Sequence, residues 1–164
     1  MVSLAGPRLV ALVTLRGRAV VLGKSVLRDE VVVTSWHCPV SDEPRLYMVA
    51  LSVKRAHALS IVRESGVFVV NIVSESLREV AVAVSHHAGE FVDTFGHTGL
   101  SMGSALKVDA PRLKAALSWL ECEVLEEVVT GDHVCFIGKV VHAEMRDERA
   151  PRLLDEGEFS RRRG

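Results

Sequence analysis

The sequence is nearly devoid of side-chain amides. It contains no glutamine, and Asn71 is its single asparagine, while arginine outnumbers lysine by 15 to 5. Loss of heat-labile amides is a trend in proteins from thermophiles, although a biased genome composition produces the same result. Asn71 therefore either survives by chance or does something that serine or aspartate cannot do.

Paired cysteines, long apolar runs and excess charge are also lacking. The three cysteines, Cys38, Cys122 and Cys135, form neither a C-x-x-C nor a C-x-x-C-H pattern, and their odd number fits a reduced, intracellular setting. No apolar run approaches the ~20 residues of a membrane span. A net charge of -1 gives no overall attraction to nucleic acid or to an anionic membrane. We therefore expect a cytoplasmic protein without nucleic-acid or membrane partners, in which any anion site is local.

Several catalytic motifs are missing as well. The sequence has no G-x-S-x-G elbow, no P-loop and no G-x-G-x-x-G, so hydrolase, nucleotidase and Rossmann functions lose their main support. The spacing of His86, His87 and His97 matches no common zinc arrangement, and we predict no metal site. Cys38 follows a histidine, but consecutive strand residues point to opposite faces, which favours a buried or pocket-wall thiol over a nucleophile.

The 164 residues, 48% of them apolar, are enough for one core-bearing domain spanning residues 1–164, with residues 145–164 as a C-terminal arm. About seven strands are predicted, and they do not alternate with helices in a βαβ rhythm. The sequence therefore predicts a mainly β protein, an antiparallel barrel with short helical insertions. The clearest strand patterns are Leu9–Leu15, Glu30–Thr34, Leu46–Leu51, Val67–Val73, Trp119–Val129 and His133–Glu144.

Turns and helices follow from the breaks in these patterns. We expect a turn at Arg16–Arg18 and an exposed loop at Pro39–Pro44, where proline and acidic residues gather. Ala56–Ser65 has helical spacing with Gly66 placed to end the helix, and a second helix is expected over Arg78–Val84. Short helical segments are also predicted at Glu90–Phe95 and Pro111–Leu117.

The stretch Val31–Arg55 carries the most suggestive chemistry. Its two predicted strands end in polar clusters, Thr34–Cys38 and Ser52–Arg55, and His57 follows the second cluster. Hydroxyl groups and cations of the second cluster are the groups that bind phosphate, whereas an exposed polar connection is the simpler explanation. The first cluster could line an aromatic ligand through Trp36, which is equally consistent with a core or interface residue. If the strands pair, both clusters could reach one anionic, ring-bearing ligand.

His133 stands out among the histidines. It follows Gly131–Asp132 at a predicted hairpin and precedes an apolar strand. A titratable group in that position could face a pocket beside a bound ring, although a turn histidine in water is the ordinary alternative.

These residues also carry a resemblance to a known family. The chain resembles the FMN-binding split-barrel family of flavin reductase-like proteins, which includes flavoredoxin and ferric reductase. The matching segments are PRLVALVT at 7–14, TSWHCPVS at 34–41, VAL at 49–51, HALSIVRESGVFVVNI at 57–72, KVDAP at 107–111, LEC at 120–122 and GDH at 131–133. The segment 18–30 departs from the short glycine-containing hairpin followed by asparagine that is usual in the family.

The resemblance implies a fold and a site. It implies a Greek-key type antiparallel split β-barrel that binds FMN near the interface of a homodimer. The residues that would line the flavin ring are Thr34, Ser35, Trp36, His37, Cys38 and Ser41. Those around the phosphate would be Ser52, Val53, Lys54, Arg55, His57 and Ala58. Approaching from neighbouring elements would be Asn71, Ser85, His86 and His87, with His133 near the flavin and any nicotinamide.

The functions that follow from the resemblance fall into three classes. The first is an oxidoreductase in which NADH or NADPH reduces FMN, which then passes electrons to free flavin, ferric complexes or a redox-protein or monooxygenase partner. The second is an FMN-binding electron carrier without nicotinamide activity of its own. The third is a barrel that has lost flavin and serves as an interaction module.

Overall fold

The computed structural model describes residues 8–86 and 93–146, which form an antiparallel β structure with short helices. Three α-helices occur within this part of the chain: α1 (Ala56–Ser65), α2 (Arg78–His86) and α3 (Thr94–Thr98). Short 3-10 turns at Val53–Arg55 and Glu75–Leu77 lead into α1 and α2. The strands are β1 (Ala11–Val21), β2 (Lys24–Thr34), β3 (His37–Ser41), β4 (Leu46–Ser52), β5 (Val67–Ile72), β6 (Met102–Ser104), β7 (Pro111–Leu113), β8 (Ser118–Thr130) and β9 (His133–Met145).

Seven strands make one sheet in the order β2-β1-β5-β8-β9-β4-β3, and β6 pairs with β7 in a separate hairpin. Every ladder is antiparallel. The two edge strands, β2 and β3, are consecutive in the chain, with Ser35 and Trp36 between them. The chain therefore leaves one edge of the sheet and joins the other, which closes the sheet into the predicted split barrel.

The closure is held by hydrogen bonds around Ala50 of β4. The Thr34 hydroxyl donates to the Ala50 carbonyl at 3.0 Å, and the Ala50 amide donates to the Trp36 carbonyl at 2.8 Å. Thr34 Oγ1 also accepts from the Trp36 amide at 3.0 Å. These contacts bring the end of β2 to the middle of β4, although the two strands share no ladder.

Helix α1 contributes to the core inside the barrel. Its buried residues Ala58, Leu59, Ile61 and Val62 share one apolar cluster with alternate residues of the strands. Gly66 ends the helix in the left-handed conformation, at φ 68°, and its amide donates to the Val62 carbonyl. The predicted helix and its glycine stop are therefore confirmed.

A second apolar cluster covers the outer face of β1, β2 and β5, where α2, α3 and the β6–β7 hairpin pack. Val31 belongs to this outer cluster and Val32 to the inner one, and both are buried. Burial on both faces explains the continuous apolar character of this strand, as predicted.

The prediction of a turn at Arg16–Arg18 is wrong. β1 runs straight through these residues and pairs with β2 over 11 positions, and the hairpin turns at Leu22 and Gly23. Gly17 lies under α1, where an added Cβ would sit 2.7 Å from Glu64 Oε2 and 3.0 Å from the Ile61 carbonyl oxygen. Glycine is therefore needed here because helix α1 approaches the strand closely, and not because the chain turns.

Two further expectations need correction. The predicted helix at 111–117 is absent, because Pro111–Leu113 is the strand β7, followed by a turn. The predicted loop at 39–44 begins as β3, and its turn covers residues 42–45. Of the helical segment expected at 90–95, residues 90–92 lie outside the described residues and Thr94 and Phe95 begin α3; the arm beyond residue 146 also lies outside them.

The described part of the chain contains neither a membrane-spanning helix nor a cluster of metal-binding side chains. In residues 8–86 and 93–146, no helix has the length and apolar character needed to cross a membrane. The same ranges bring together no group of three or more histidine, cysteine, aspartate or glutamate side chains able to hold a metal ion.

Candidate flavin site

Two aromatic rings stack where the barrel closes. The Trp36 and His133 rings have centroids 4.3 Å apart and planes inclined by 22°. His133 begins β9 and is paired with Ser52, the last residue of β4. Trp36 stays 42% exposed, so its ring is accessible beside Ser52, the first residue of the second polar cluster.

The turn before β9 orients the imidazole. Asp132 Oδ1 lies 2.7 Å from His133 Nδ1, and because a carboxylate can only accept, Nδ1 is the nitrogen that donates. This hydrogen bond is the main reason that the pKa of Asp132 is lowered. The Asp132 carbonyl in turn accepts from the Val53 amide at 2.9 Å. The turn, the imidazole and the first residue after β4 are therefore held together.

The 3-10 turn Val53–Arg55 adds two cations to this region. Ser52 caps the turn, its Oγ accepting from the Lys54 amide at 3.3 Å. Lys54 is exposed and near enough to Asp132 to help lower its pKa. Arg55 donates through Nη2 to the Ser85 carbonyl near the end of α2, at 2.9 Å. The resulting surface carries two cations and a hydroxyl, the groups that an anion requires.

The two polar clusters identified in the sequence therefore lie side by side in the structure, although β2 and β4, the strands at whose ends they begin, are not hydrogen-bonded neighbours in the sheet. The link runs through the Ala50 hydrogen bonds and the ring stack. The predicted site residues brought together in this way are Thr34, Ser35, Trp36, Ser52, Val53, Lys54, Arg55, Ser85 and His133.

His37 turns away from this group. Its Nε2 lies 3.1 Å from the Leu9 carbonyl, so it must donate there, and its Nδ1 accepts from the Tyr47 hydroxyl at 2.8 Å. Burial lowers the pKa of His37 and raises the pKa of Tyr47 to about 12. The neutral imidazole ties β3 and β4 to the segment before β1.

Cys38 and Ser41 follow on β3, away from the stack. Cys38 is an exposed free thiol paired with Met48, and Ser41 is paired with Leu46 at the far end of the β3–β4 ladder. Among the hydrogen bonds and ring contacts of the described residues, neither side chain contacts Trp36 or His133. Their assignment to the flavin ring stays a prediction.

Asn71 lies in the protein interior. Its side chain is 0% exposed; Nδ2 donates to Leu12 O, Thr14 Oγ1 and Val69 O at 2.9, 2.9 and 3.2 Å, and Oδ1 accepts from Leu113 N at 2.8 Å. Serine and aspartate cannot supply this combination of donors and acceptor. In this structure the amide joins β1, β5 and β7 instead of facing a ligand, so we leave Asn71 out of the proposed site.

The remaining predicted residues lie on α1 and α2. The Ala58 side chain is buried in the barrel core, so only its backbone can contribute to a phosphate site. His57 is partly buried in the first turn of α1, and His86 is exposed at the end of α2. Ser85 Oγ is bonded to the Val82 carbonyl at 2.7 Å. His87 lies outside the described residues.

Sequence reasoning missed three residues around this site. Arg8 places its guanidinium carbon 5.7 Å from the centre of the Trp36 ring, a cation–π distance. Asp132 orients His133, which its place in a Gly-Asp-His turn could have indicated. Glu30 is a buried carboxyl whose pKa responds to Arg55. No signal in the sequence marks Glu30, because it lies in an ordinary-looking hairpin strand.

The comparison with protein families agrees with this geometry. Residues 5–161 match the model of the flavin reductase like domain. The chain belongs to the flavin reductase-like family. The match covers both polar clusters, the helix α1 and the turn that carries His133.

Individual relatives share only a low sequence identity with this flavin reductase-like protein. The NADH-dependent flavin reductase StyB of Pseudomonas fluorescens is 28% identical over 115 residues, covering 70% of this chain and 62% of StyB. The FMN-binding protein of Thermus thermophilus, solved with bound p-hydroxybenzaldehyde, has a TM-score of 0.72 at 23% identity, covering 86% of this chain and 73% of that one. The NADH:FAD oxidoreductase SgcE6 of Streptomyces globisporus C-1027 has a TM-score of 0.76 at 22% identity, covering 93% and 84%. At these identities the structural matches establish the fold.

Proposed function

We propose that this protein binds FMN and acts as an oxidoreductase in which NADH or NADPH reduces the flavin. The observation that carries the proposal is the meeting of the Trp36–His133 stack with the cationic turn after β4 at the point where the barrel closes. FMN combines a flat ring with a phosphate, and this region offers a partner for each. The names of StyB and of the Thermus thermophilus FMN-binding protein support the same cofactor class.

The ring is assigned to the surface around Trp36. The indole is partly exposed, and flat aromatic surfaces attract other rings by stacking. The 4.3 Å spacing of the Trp36 and His133 rings leaves no room for a third ring between them, because two stacked contacts need about 7 Å. The isoalloxazine would therefore pack on a free face of the pair or separate it.

The phosphate is assigned to the residues from Ser52 to Ala58. Lys54 and Arg55 supply two positive charges, and Ser52 Oγ and the backbone of the turn supply further polar groups. Arg55 is already oriented by its bond to the Ser85 carbonyl. A guanidinium held in this way loses little conformational freedom when it binds an anion.

The protein's own contribution is to bind the cofactor and to orient and polarise the reacting groups. When bound, FMN supplies the hydride acceptor, so no nucleophilic side chain is needed. Asp132 fixes the imidazole of His133 so that Nδ1 donates to the carboxylate and Nε2 is the other polar atom of the ring. His133 would thereby position the nicotinamide donor beside the flavin. The electrons would go to free flavin, ferric complexes or a redox-protein or monooxygenase partner.

Assembly and location belong to the same proposal. The protein forms a homodimer with FMN near the interface and works in the cytoplasm. Exposed apolar side chains on β3 and β8 support an assembly. These side chains are Val40, Leu125, Val128 and Val129.

The second candidate is an FMN-binding electron carrier without nicotinamide activity. The closed Trp36–His133 stack favours it, because the imidazole proposed to position a nicotinamide is already covered on one face. Anaerobic mixing of the FMN-loaded protein with NADH and with NADPH separates the two candidates. Bleaching of the flavin absorbance supports the oxidoreductase, and a flavin that stays oxidised with both donors supports the carrier.

Binding itself is tested with the double variant Lys54→Ala/Arg55→Ala. Hydrogen bonds to charged groups contribute about 1.5–3 kcal/mol each, so losing both should weaken FMN by roughly 100-fold or more. Riboflavin, which lacks the phosphate, should bind within about threefold of its wild-type affinity, since less than 1 kcal/mol is at stake. Fluorescence titration with both ligands measures the difference.

A matched control uses the same pair of strands. Arg45 and Lys139 are exposed cations at the opposite end of the β4–β9 ladder, about 20 Å from Ser52 and His133. Arg45→Ala/Lys139→Ala removes the same charge and should leave FMN affinity nearly unchanged. Equal losses of FMN and riboflavin in the Lys54/Arg55 variant would refute the phosphate assignment. A protein that binds neither ligand would refute FMN binding altogether.

A further inference from the structure

Arg8 lies against the tryptophan ring of the candidate site. Its guanidinium carbon is 5.7 Å from the centre of the Trp36 ring, which is within the range of a cation–π contact. His133 stacks on the same indole at 4.3 Å, and a ring at that distance fills the face that it covers. The guanidinium therefore lies over the other face or at the edge of the indole. Arg8 thus belongs to the ring side of the site, although neither polar cluster contains it.

The backbone that carries Arg8 is fixed by the residues that follow it. The Leu9 carbonyl accepts from His37 Nε2 at 3.1 Å, and His37 Nδ1 accepts from the Tyr47 hydroxyl at 2.8 Å. Val10 is 2% exposed and belongs to the outer apolar cluster. A side chain on a backbone held in this way keeps its charge close to the indole and loses little freedom when a ligand binds.

A cation in this position acts differently from the cations of the turn after β4. Lys54 and Arg55 are assigned to the phosphate, which does not change when FMN is reduced. The flavin ring gains two electrons on reduction, and protein charges near the ring tune this step. Because the attraction between a cation and added negative charge falls with distance, a guanidinium beside the ring favours the reduced form.

We propose that Arg8 contacts the bound flavin ring and raises the affinity of the site for reduced FMN relative to oxidised FMN. A ring that packs on Trp36 lies beside the guanidinium, because Arg8 already contacts that indole. Arg8 exchanges neither electrons nor protons in this role and changes only the relative affinities for the two forms of the cofactor. The inference rests on the proposed function, because it takes FMN as the ligand. It makes Arg8 a residue that sets the reduction potential and His37 the residue that positions it.

The reduction potential of the FMN-loaded protein tests this role. It is measured anaerobically against a reference dye, with protein in excess so that the flavin is bound. Arg8→Met keeps the length and the apolar stem of the side chain and removes its charge. The ratio of the affinities for reduced and oxidised FMN should fall about tenfold, the size of a partly desolvated contact between a cation and a ring. For a two-electron couple this equals a fall of about 30 mV. Arg8→Lys keeps the charge and should stay within about twofold of the wild-type ratio, or about 10 mV.

The second tryptophan provides a matched control. The Arg146 guanidinium carbon lies 5.6 Å from the centre of the Trp119 ring, near the start of β8, whereas Thr130, the partner of His133, ends that strand. Arg146→Met therefore removes the same kind of contact at the other end of β8. Its affinity ratio should stay within about twofold of the wild type.

His37→Phe tests the positioning step. It removes the donor to the Leu9 carbonyl and should lower the potential in the same direction as Arg8→Met. His37→Gln can still donate to that carbonyl and should restore part of the loss. In the Arg8→Met protein, His37→Phe should have no further effect on the potential, because it acts through Arg8. A further loss in the double variant would contradict the positioning role.

A wild-type potential in FMN-loaded Arg8→Met would overturn the inference while FMN binding stands. Equal weakening of oxidised and reduced FMN in this variant leaves the potential unchanged and overturns it as well. A fall in Arg146→Met or in Arg8→Lys as large as that in Arg8→Met would also count against a local charge effect. Failure of the wild-type protein to bind FMN would instead overturn the proposed function and the inference with it.

Discussion

Replacement of Asn71 by alanine tests whether this residue belongs to the core or to the flavin site. The family resemblance implies a flavin contact, whereas the structure places the amide in four hydrogen bonds inside the protein. A core role predicts a loss of stability with little change in FMN affinity. A flavin contact predicts a loss of FMN affinity with little change in stability.

The expected magnitude follows from the bonds lost. The two amide hydrogens of Asn71 contribute about 1 kcal/mol net each, and the Leu113 amide would be left without the Asn71 acceptor at a cost of about 1–3 kcal/mol. Asn71→Ala should therefore lower the free energy of unfolding by about 3–5 kcal/mol. For a protein of this size, that corresponds to a fall in Tm of roughly 6–20 °C.

Thermal and urea unfolding followed by circular dichroism measure the effect on the ligand-free protein. Thr14→Val removes one of the amide's acceptors and the hydroxyl's own bond to the Pro111 carbonyl, two bonds in place of the four of Asn71, and should cost less than Asn71→Ala. Ser25→Ala, at an exposed position of β2, should cost nothing measurable. A loss below about 0.5 kcal/mol in Asn71→Ala, together with a tenfold or larger loss of FMN affinity, would refute the core assignment.

Two more predictions concern packing and donor positioning. An added Cβ at Gly138 would lie 2.7 Å from Phe68 Cζ in the core, so Gly138→Ala should destabilise the fold by about 1–3 kcal/mol. At Gly103 the nearest atom to an added Cβ is 3.7 Å away, so Gly103→Ala should not destabilise the fold. Equal melting temperatures for the two variants would contradict this prediction. His133→Ala should slow flavin reduction by NADH or NADPH at least about tenfold with FMN affinity kept, because misplacing a reactant by 1 Å can cost about 100-fold. His142→Ala, on the same strand, is the control, and an unchanged stopped-flow rate in His133→Ala would remove that residue from the mechanism.

Local features of the fold followed from local patterns. Burial on both faces explains the continuous valines of β2, and the glycine stop at Gly66 ends α1 where expected. The Gly131 turn between β8 and β9 was equally predictable, since it separates two long strand patterns. Such features depend on residues that are neighbours in the chain, which is why periodicity and turn chemistry identify them.

Partners distant in the chain could not be read in the same way. Gly17 looked like a turn residue because its reason for being glycine, the approach of α1, comes from a helix that lies far along the chain. A turn and a strand packed closely against a helix both require glycine at this position, so the local sequence is the same in either case. Only the position of the helix distinguishes them.

The candidate site shows the same division. The residue types in its two polar clusters are compatible with a ring and a phosphate, and the family resemblance favours these ligands over an exposed polar connection. Their meeting depends on the chain crossing from β2 to β3 at Trp36, and on β4 pairing with β9 so that Ser52 lies beside His133. Strand order and closure are set by packing across the whole barrel, so the tertiary structure alone decides which of these groups share a site.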